Sequence, residues 1–133
     1  MSETDIQRDI MVVATECGHR LMRNNVGKAK NLNRDGSVRY TAFGVGGKGS
    51  GDLIGWTQVR YVSGHGYGSS EVLVPVYTMV ETKAEDGRHR REQERKIQGV
   101  LDARGIAGFC HSVADYLALL KKFGANHATR TQG

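Results

Sequence analysis

The sequence predicts an α/β domain with the element order α-β-β-β-α-β-α. Three observations predict it. Apolar residues recur at three- and four-residue steps in 4–23, 88–103 and 112–120, the period of helices buried along one face. Three segments rich in β-branched and aromatic residues lie between the first and second of these. A short apolar segment, Ile106 to His111, separates the second from the third. At 133 residues the chain is expected to form one domain, covering 1–124, and to bury about two-thirds of its unfolded surface.

Each element has its own signal. Thr4-Asp5-Ile6-Gln7 reads as a capping box, and Ile6, Ile10, Val13, Cys17 and Leu21 mark one helical face. Asn24, Asn25 and Gly27 are expected to break that helix. Ser37 to Phe43, Leu53 to Val62 and Val72 to Lys83 read as strands, with Pro75 demoting the start of the last to an edge or bulge. The loop from Ser63 to Ser70 joins the second and third of them as a long hairpin, and Asp86-Gly87 is a turn. Ile97, Val100 and Leu101 are the apolar face of the second helix, with Gly105 just past its end. Ser112 caps the third helix, which presents Val113, Tyr116, Leu117 and Leu120 on one face and stops at Gly124. Residues 125–133 carry no periodicity and are expected to form a mobile tail.

Composition excludes several classes. No apolar run approaches the length of a membrane-spanning helix, and the N-terminus lacks a signal pattern. Cys17 and Cys110 lie too far apart in sequence for a zinc knuckle or a CxxC pair, so buried thiols in a reducing cytoplasm are expected. Net charge is +5, and seven bases fall between Arg20 and Lys48 against the single acid Asp35. That local excess suits a phosphate backbone. Nine of the 18 glycines fall between Gly44 and Gly68. Gly44 to Gly49 formally matches GxGxxG, but it leads into a strand rather than a helix, so it does not suit a dinucleotide. The phosphate-loop pattern fails at Ala42 and Gly49.

A different set suits chemistry better. Asp52 opens the second strand directly after the glycine run, and Glu81 and Lys83 end the third. Strand side chains alternate, so Glu81 and Lys83 share one face. If the two strands pair as a hairpin, Asp52 and Glu81 meet at its open end. Two carboxylates there make a hard oxygen site for Mg²⁺ or Mn²⁺, to which the Thr82 backbone carbonyl adds a ligand. A neighbouring lysine can orient water or stabilise charge on a phosphate. The same spacing also fits a turn acid followed by a solvated strand end.

Gly49-Ser50-Gly51-Asp52-Leu53-Ile54-Gly55, then Val80-Glu81-Thr82-Lys83, then Gln93 resemble the virus-type replication-repair nuclease (VRR-NUC) family, a branch of the PD-(D/E)XK nuclease superfamily. Arg23-Asn24-Asn25-Val26-Gly27, Gly105 and Ser112-Val113-Ala114-Asp115 extend the resemblance over about residues 2 to 120. One departure is Gly51, which stands where the superfamily has proline. The resemblance implies a PD-(D/E)XK core, a mixed central sheet flanked by helices. It implies that Asp52 and Glu81 bind the metal, that Lys83 is the catalytic lysine, and that Gln93 orients the lysine or the attacking water. Helical spacing places Gln93 on the same face as Ile97, turned toward the sheet. The family also uses a glutamate in its first helix, for which Glu3 is the match.

The implied activity is metal-dependent hydrolysis of DNA leaving a 5′-phosphate. Stand-alone members, as in phages, resemble homodimers that cut four-way (Holliday) junctions. The expected setting is therefore the cytoplasm of a bacterial or phage-infected cell. Arg23, Lys28, Lys30, Arg34, Lys48, Arg88 and Arg91 are the candidate DNA contacts, and Arg90 joins the last two on a helix face that is either solvated or on the backbone. A 5′-flap or less selective nuclease is the enzymatic alternative, and a basic DNA-binding module the non-enzymatic one. His19, His65, His89 and His127 read as surface residues, Tyr40 and Tyr77 as sheet packing, and Trp56 as core or subunit interface.

Overall fold

The apolar stripe of the first helix continues in sequence to Leu21, yet the helix, α1 (Glu3–Glu16), ends before it. Gly18, at φ +86°, turns the chain out of the helix. Its N–H donates to the Thr15 carbonyl at 3.0 Å, and the His19 N–H to the Ala14 carbonyl at 2.8 Å. This is a Schellman turn, which glycine adopts without the penalty a Cβ carries. Leu21 is buried all the same, from a strand. The N-terminal cap also differs from expectation: Ser2 and Asp5, rather than Thr4 and Gln7, form the capping box. Those four residues lie inside the helix or at its cap, and Gln7 is left free to point inward.

The computed structural model describes residues 2–47, 49–64, 68, 70–84, 87, 88 and 90–124. The expected tail at 125–133, Asp86, His65, His89, His127 and the candidate DNA contact Lys48 lie outside the described residues.

After α1 come β1 (Arg20–Arg23), β2 (Gly27–Leu32), β3 (Val38–Phe43), β4 (Leu53–Ser63), β5 (Ser70–Thr82), α2 (Arg91–Asp102), β6 (Ile106–Cys110) and α3 (Val113–Lys122). The expected order lacked β1 and β2. β2 (GKAKNL) is polar and has no apolar alternation; it is a strand because β3 pairs with it, from Gly27 opposite Phe43 to Leu32 opposite Val38.

The main sheet has the order β1-β4-β5-β6. β1–β4 and β4–β5 are antiparallel, and β5–β6 is parallel across α2. It is thus the expected mixed sheet flanked by helices. Adjacent residues of β5 face opposite layers. Val80 packs with Ile6, Ile10 and Ala14 of α1 and Tyr116 and Leu120 of α3. Met79 packs with Ile97 of α2 and Ala107. Burying each of the larger side chains contributes about 1.5–3 kcal/mol. Pro75 falls on the part of β5 that β6 does not reach, so its missing N–H removes no bond on that edge. The β2–β3 hairpin stands apart as a second two-stranded sheet, exposed along β3.

Candidate active site

The register of β4 and β5 decides the site. Leu53 lies opposite Val80, so the next pair outward is Asp52 and Glu81. Asp52 closes the end of the hairpin with its side chain. Its Oδ2 accepts from the Thr82 N–H at 3.0 Å and from Thr82 Oγ1 at 2.9 Å. A strand residue turns its N–H and C=O to the same edge, so the Thr82 carbonyl faces the Asp52 side.

Glu81 and Lys83 share the α2 side of β5, and both are buried. Lys83 Nζ stands 3.8 Å from Glu81 Oε1. Gln93, in the first turn of α2, donates from Nε2 to the same oxygen at 2.5 Å. Burial first, and then the Asp52 carboxylate, push the Glu81 carboxyl up to about 8, with Lys83 opposing. The pair repels and is desolvated, which is the electrostatic condition a cation relieves.

On the other face, Thr82 points toward α1. Gln7 Nε2 donates to Thr82 Oγ1 at 3.0 Å, so Gln7, Thr82 and Asp52 form a chain of hydrogen bonds from α1 to the carboxylate. Asn24 ties the approach to Asp52. Its side chain accepts from the Val45 N–H at 2.9 Å and donates to the Val45 and Gly51 carbonyls at 2.9 and 3.3 Å. Its own N–H donates to the Asp52 carbonyl at 2.7 Å. The glycine run therefore has a fixed path. Gly49 sits at φ +88°, and a Cβ there would come within 2.9 Å of the Glu92 backbone, so the run lies directly on the start of α2.

A cavity of about 530 Å³ opens over these residues. Asp52, Glu81 and Gln93 line it, together with Lys28, Phe43 and Arg90 among others. Arg23, Lys30, Arg34, Arg88 and Arg91 are exposed. Lys30 lies along the β2–β3 hairpin and Arg34 at its turn.

Residues 2–114 match the VRR-NUC domain family. The chain belongs to the VRR-NUC family. It is a nuclease domain of the restriction-like superfamily, with DNA as the substrate class that follows. No curated protein and no solved structure matched the chain.

Nucleases of this superfamily use divalent cations, and the VRR-NUC residues here fit one. Glu81 Oε2 is buried and accepts no hydrogen bond among the described residues. An orphaned carboxylate oxygen beside a second carboxylate is a hard-ligand arrangement. Among the described residues no group of three or more His, Cys, Asp or Glu is placed to hold a metal. Glu3 Oε1 instead accepts from the Ala84 N–H at 3.4 Å, beside the end of β5 and not gathered with Asp52 and Glu81.

The sequence reading made Gln7 a capping-box residue and Asn24 a helix breaker, and gave neither a role at the site. Gln7 has a faint signal, a polar residue three before Ile10 on the buried side of α1; Asn24 has its place in the RNNVG stretch. His19 is a correction. It is buried, and its Nδ1 accepts from the Gln58 N–H at 3.0 Å, because β1 begins immediately after it and draws it against β4. Tyr40 is likewise exposed rather than packed, since β3 has no helix layer over it.

Proposed function

We propose that this VRR-NUC domain is a Mg²⁺- or Mn²⁺-dependent endonuclease that acts on branched DNA, cutting four-way junctions as a homodimer. The observation that carries the reading is the orphaned Glu81 Oε2 beside Asp52, with Lys83 Nζ 3.8 Å from the other Glu81 oxygen. Asp52, Glu81 and the Thr82 carbonyl would hold the cation, with water completing its shell. Glu3 is held in reserve as a further ligand. When bound, the cation supplies Lewis-acid activation of water and of the phosphodiester.

The chain's own groups do the rest. Lys83 Nζ donates hydrogen bonds to the attacking water and faces the negative charge that grows on the phosphoryl oxygens. Gln93 fixes Glu81 through Oε1, leaving Oε2 directed to the ligand position. Thr82 holds Asp52 in the same way through Oδ2. Lys28 lines the cavity, and Arg23, Lys30, Arg34, Arg88 and Arg91 are exposed bases in the segments that flank it in sequence. These bases attract the phosphate backbone without reading sequence, so binding weakens steeply as salt rises.

Two sites related by a two-fold axis match the symmetry of a four-way junction. The family resemblance supports that substrate over a 5′ flap.

The test is cleavage of a synthetic four-way junction, a 5′ flap and a plain duplex with Mg²⁺ or Mn²⁺. Paired cuts in the junction are expected, with loss of about 100-fold or more in Asp52→Ala and Lys83→Ala. Flap cutting without junction cutting would favour the alternative substrate. Binding of all three without cleavage under either metal would sink the enzymatic reading. Wild-type rates in both variants would overturn the residue assignments.

A further inference from the structure

We propose that the half of the β4–β5 hairpin remote from Asp52 is the surface by which two copies of this chain associate. This rests on the homodimer reading above and supplies the interface that the reading lacks.

The hairpin outruns the rest of the sheet. β1 pairs with β4 only from Leu53 to Trp56, and β6 with β5 only from Thr78 to Thr82. His19 takes the Gln58 N–H. Beyond those residues the two strands, among the described residues, pair only with each other, as far as Ser63 opposite Ser70. Both faces of this extension carry open apolar side chains, on one of them around the Arg60–Glu71 ion pair. Tyr61, Val72 and Val74 are 54, 53 and 37% exposed on one face. On the other face Val62, Leu73 and Tyr77 are 66, 47 and 46% exposed, and Trp56, at the last β1–β4 pair beside the extension, is 40% exposed. A monomer rarely leaves such a surface uncovered, and free strand edges beside it invite pairing.

Charge selects the occupant. From Thr57 to Val76 the only charged residues are Arg60 and Glu71, and they form an ion pair with each other. A neutral arm has nothing to attract a nucleic acid or an anionic membrane. The β2–β3 hairpin differs: it carries Lys28, Lys30, Arg34 and Arg39 against Asp35, and it borders the cavity. Area points the same way. The seven exposed side chains offer on the order of 700 Å² over the two faces together, so an arm clasped on both faces comes close to the roughly 800 Å² per partner of a stable interface. A self-complementary patch on one chain closes as a two-fold dimer. A rise of about 3.3 Å per residue puts Tyr61 roughly 30 Å along β4 from Asp52, so changes in the arm leave the carboxylates alone.

The experiment measures solution mass by sedimentation for wild type, Leu73→Lys and Val62→Lys, with Leu32→Lys in the other hairpin as control. All three substituted positions are exposed, and circular dichroism checks that each variant is folded. Wild type and Leu32→Lys should sediment at twice the 14.6 kDa chain mass. Leu73→Lys and Val62→Lys should sediment at one chain mass, with dimer dissociation raised about 30-fold or more. Mn²⁺-dependent nicking should persist in both while paired junction cutting falls. If either folded arm variant dimerises as tightly as wild type, or if Leu32→Lys also dissociates the dimer, this surface is wrong and the homodimer stands. A wild type that stays monomeric even with junction DNA would remove the homodimer and this surface together. Absence of nicking in the wild type would strike the nuclease reading alone, because mass still judges the surface.

Discussion

Gln93 donates from Nε2 to Glu81 Oε1 at 2.5 Å, while its own Oε1 accepts the Arg90 N–H at 3.1 Å. One side chain therefore links the start of α2 to the buried carboxylate. The backbone bond sets which end of the amide faces Glu81. Gln93→Ala leaves Oε1 of a buried carboxylate without that donor. Because partners behind a ligand tune its affinity, metal affinity should fall about 10- to 100-fold. Cleavage rate against Mn²⁺ concentration measures this: the curve should move to higher metal and recover at saturation. An unmoved curve would remove Gln93 from the metal's support.

Glu81 makes the chelated protein sensitive to pH. Its ordinary value is 4.5, and burial followed by the Asp52 charge raises it to about 8 in the fold. Raising a folded-state pKa makes the native state hold the proton more tightly than the unfolded chain. Its stabilising contribution is fully present below 4.5 and is lost as pH rises through 8. In EDTA, thermal stability should fall over that window relative to Glu81→Gln, which cannot ionise. Parallel Tm profiles for the two proteins would contradict this. Adding Mn²⁺ at the alkaline end should raise the Tm of wild type and not of the variant.

Thr82 Oγ1 connects Gln7 to Asp52. Thr82→Val keeps the backbone N–H bond to Oδ2 and removes both hydroxyl bonds. It should cost about 1–3 kcal/mol, because the Gln7 amide loses its partner in a half-buried place. Urea unfolding reads the loss, and Gln7→Ala, which removes the orphaned donor as well, should cost less. Equal losses in the two would mean that the chain of bonds does not act through Thr82.

Asn24 fixes the glycine run with three side-chain bonds. Asn24→Ala should destabilise the protein by about 2–3 kcal/mol. Asn24→Asp keeps the acceptor for the Val45 N–H but cannot donate to the carbonyls, so it should also be destabilised. Hydrogen exchange of the Val45 amide should quicken most in Asn24→Ala. An unchanged exchange rate would show that the run holds its path without Asn24.

Local pattern carried much of the fold. The strands Leu53–Ser63 and Ser70–Thr82 and the helices α2 and α3 lie within a few residues of their expected places, because each buries one side of itself and so writes its own period into the sequence. Alternation alone was enough to put Glu81 and Lys83 on one face. β2 buries no face and left no period. The end of α1 was hidden because Leu21 continues the helical spacing while belonging to β1.

The sequence by itself determined the α/β class, the family, and the residues at the ends of two strands that suit a metal. Only the tertiary structure decided which oxygen each of those residues leaves unoccupied. Residues 7, 24, 52, 81, 82 and 93 meet through strand register and helix docking, and no spacing along the chain encodes those meetings. The same holds for the bare end of the β4–β5 hairpin. Its apolar residues read like core residues in the sequence, and only the limits of β1 and β6 leave them uncovered.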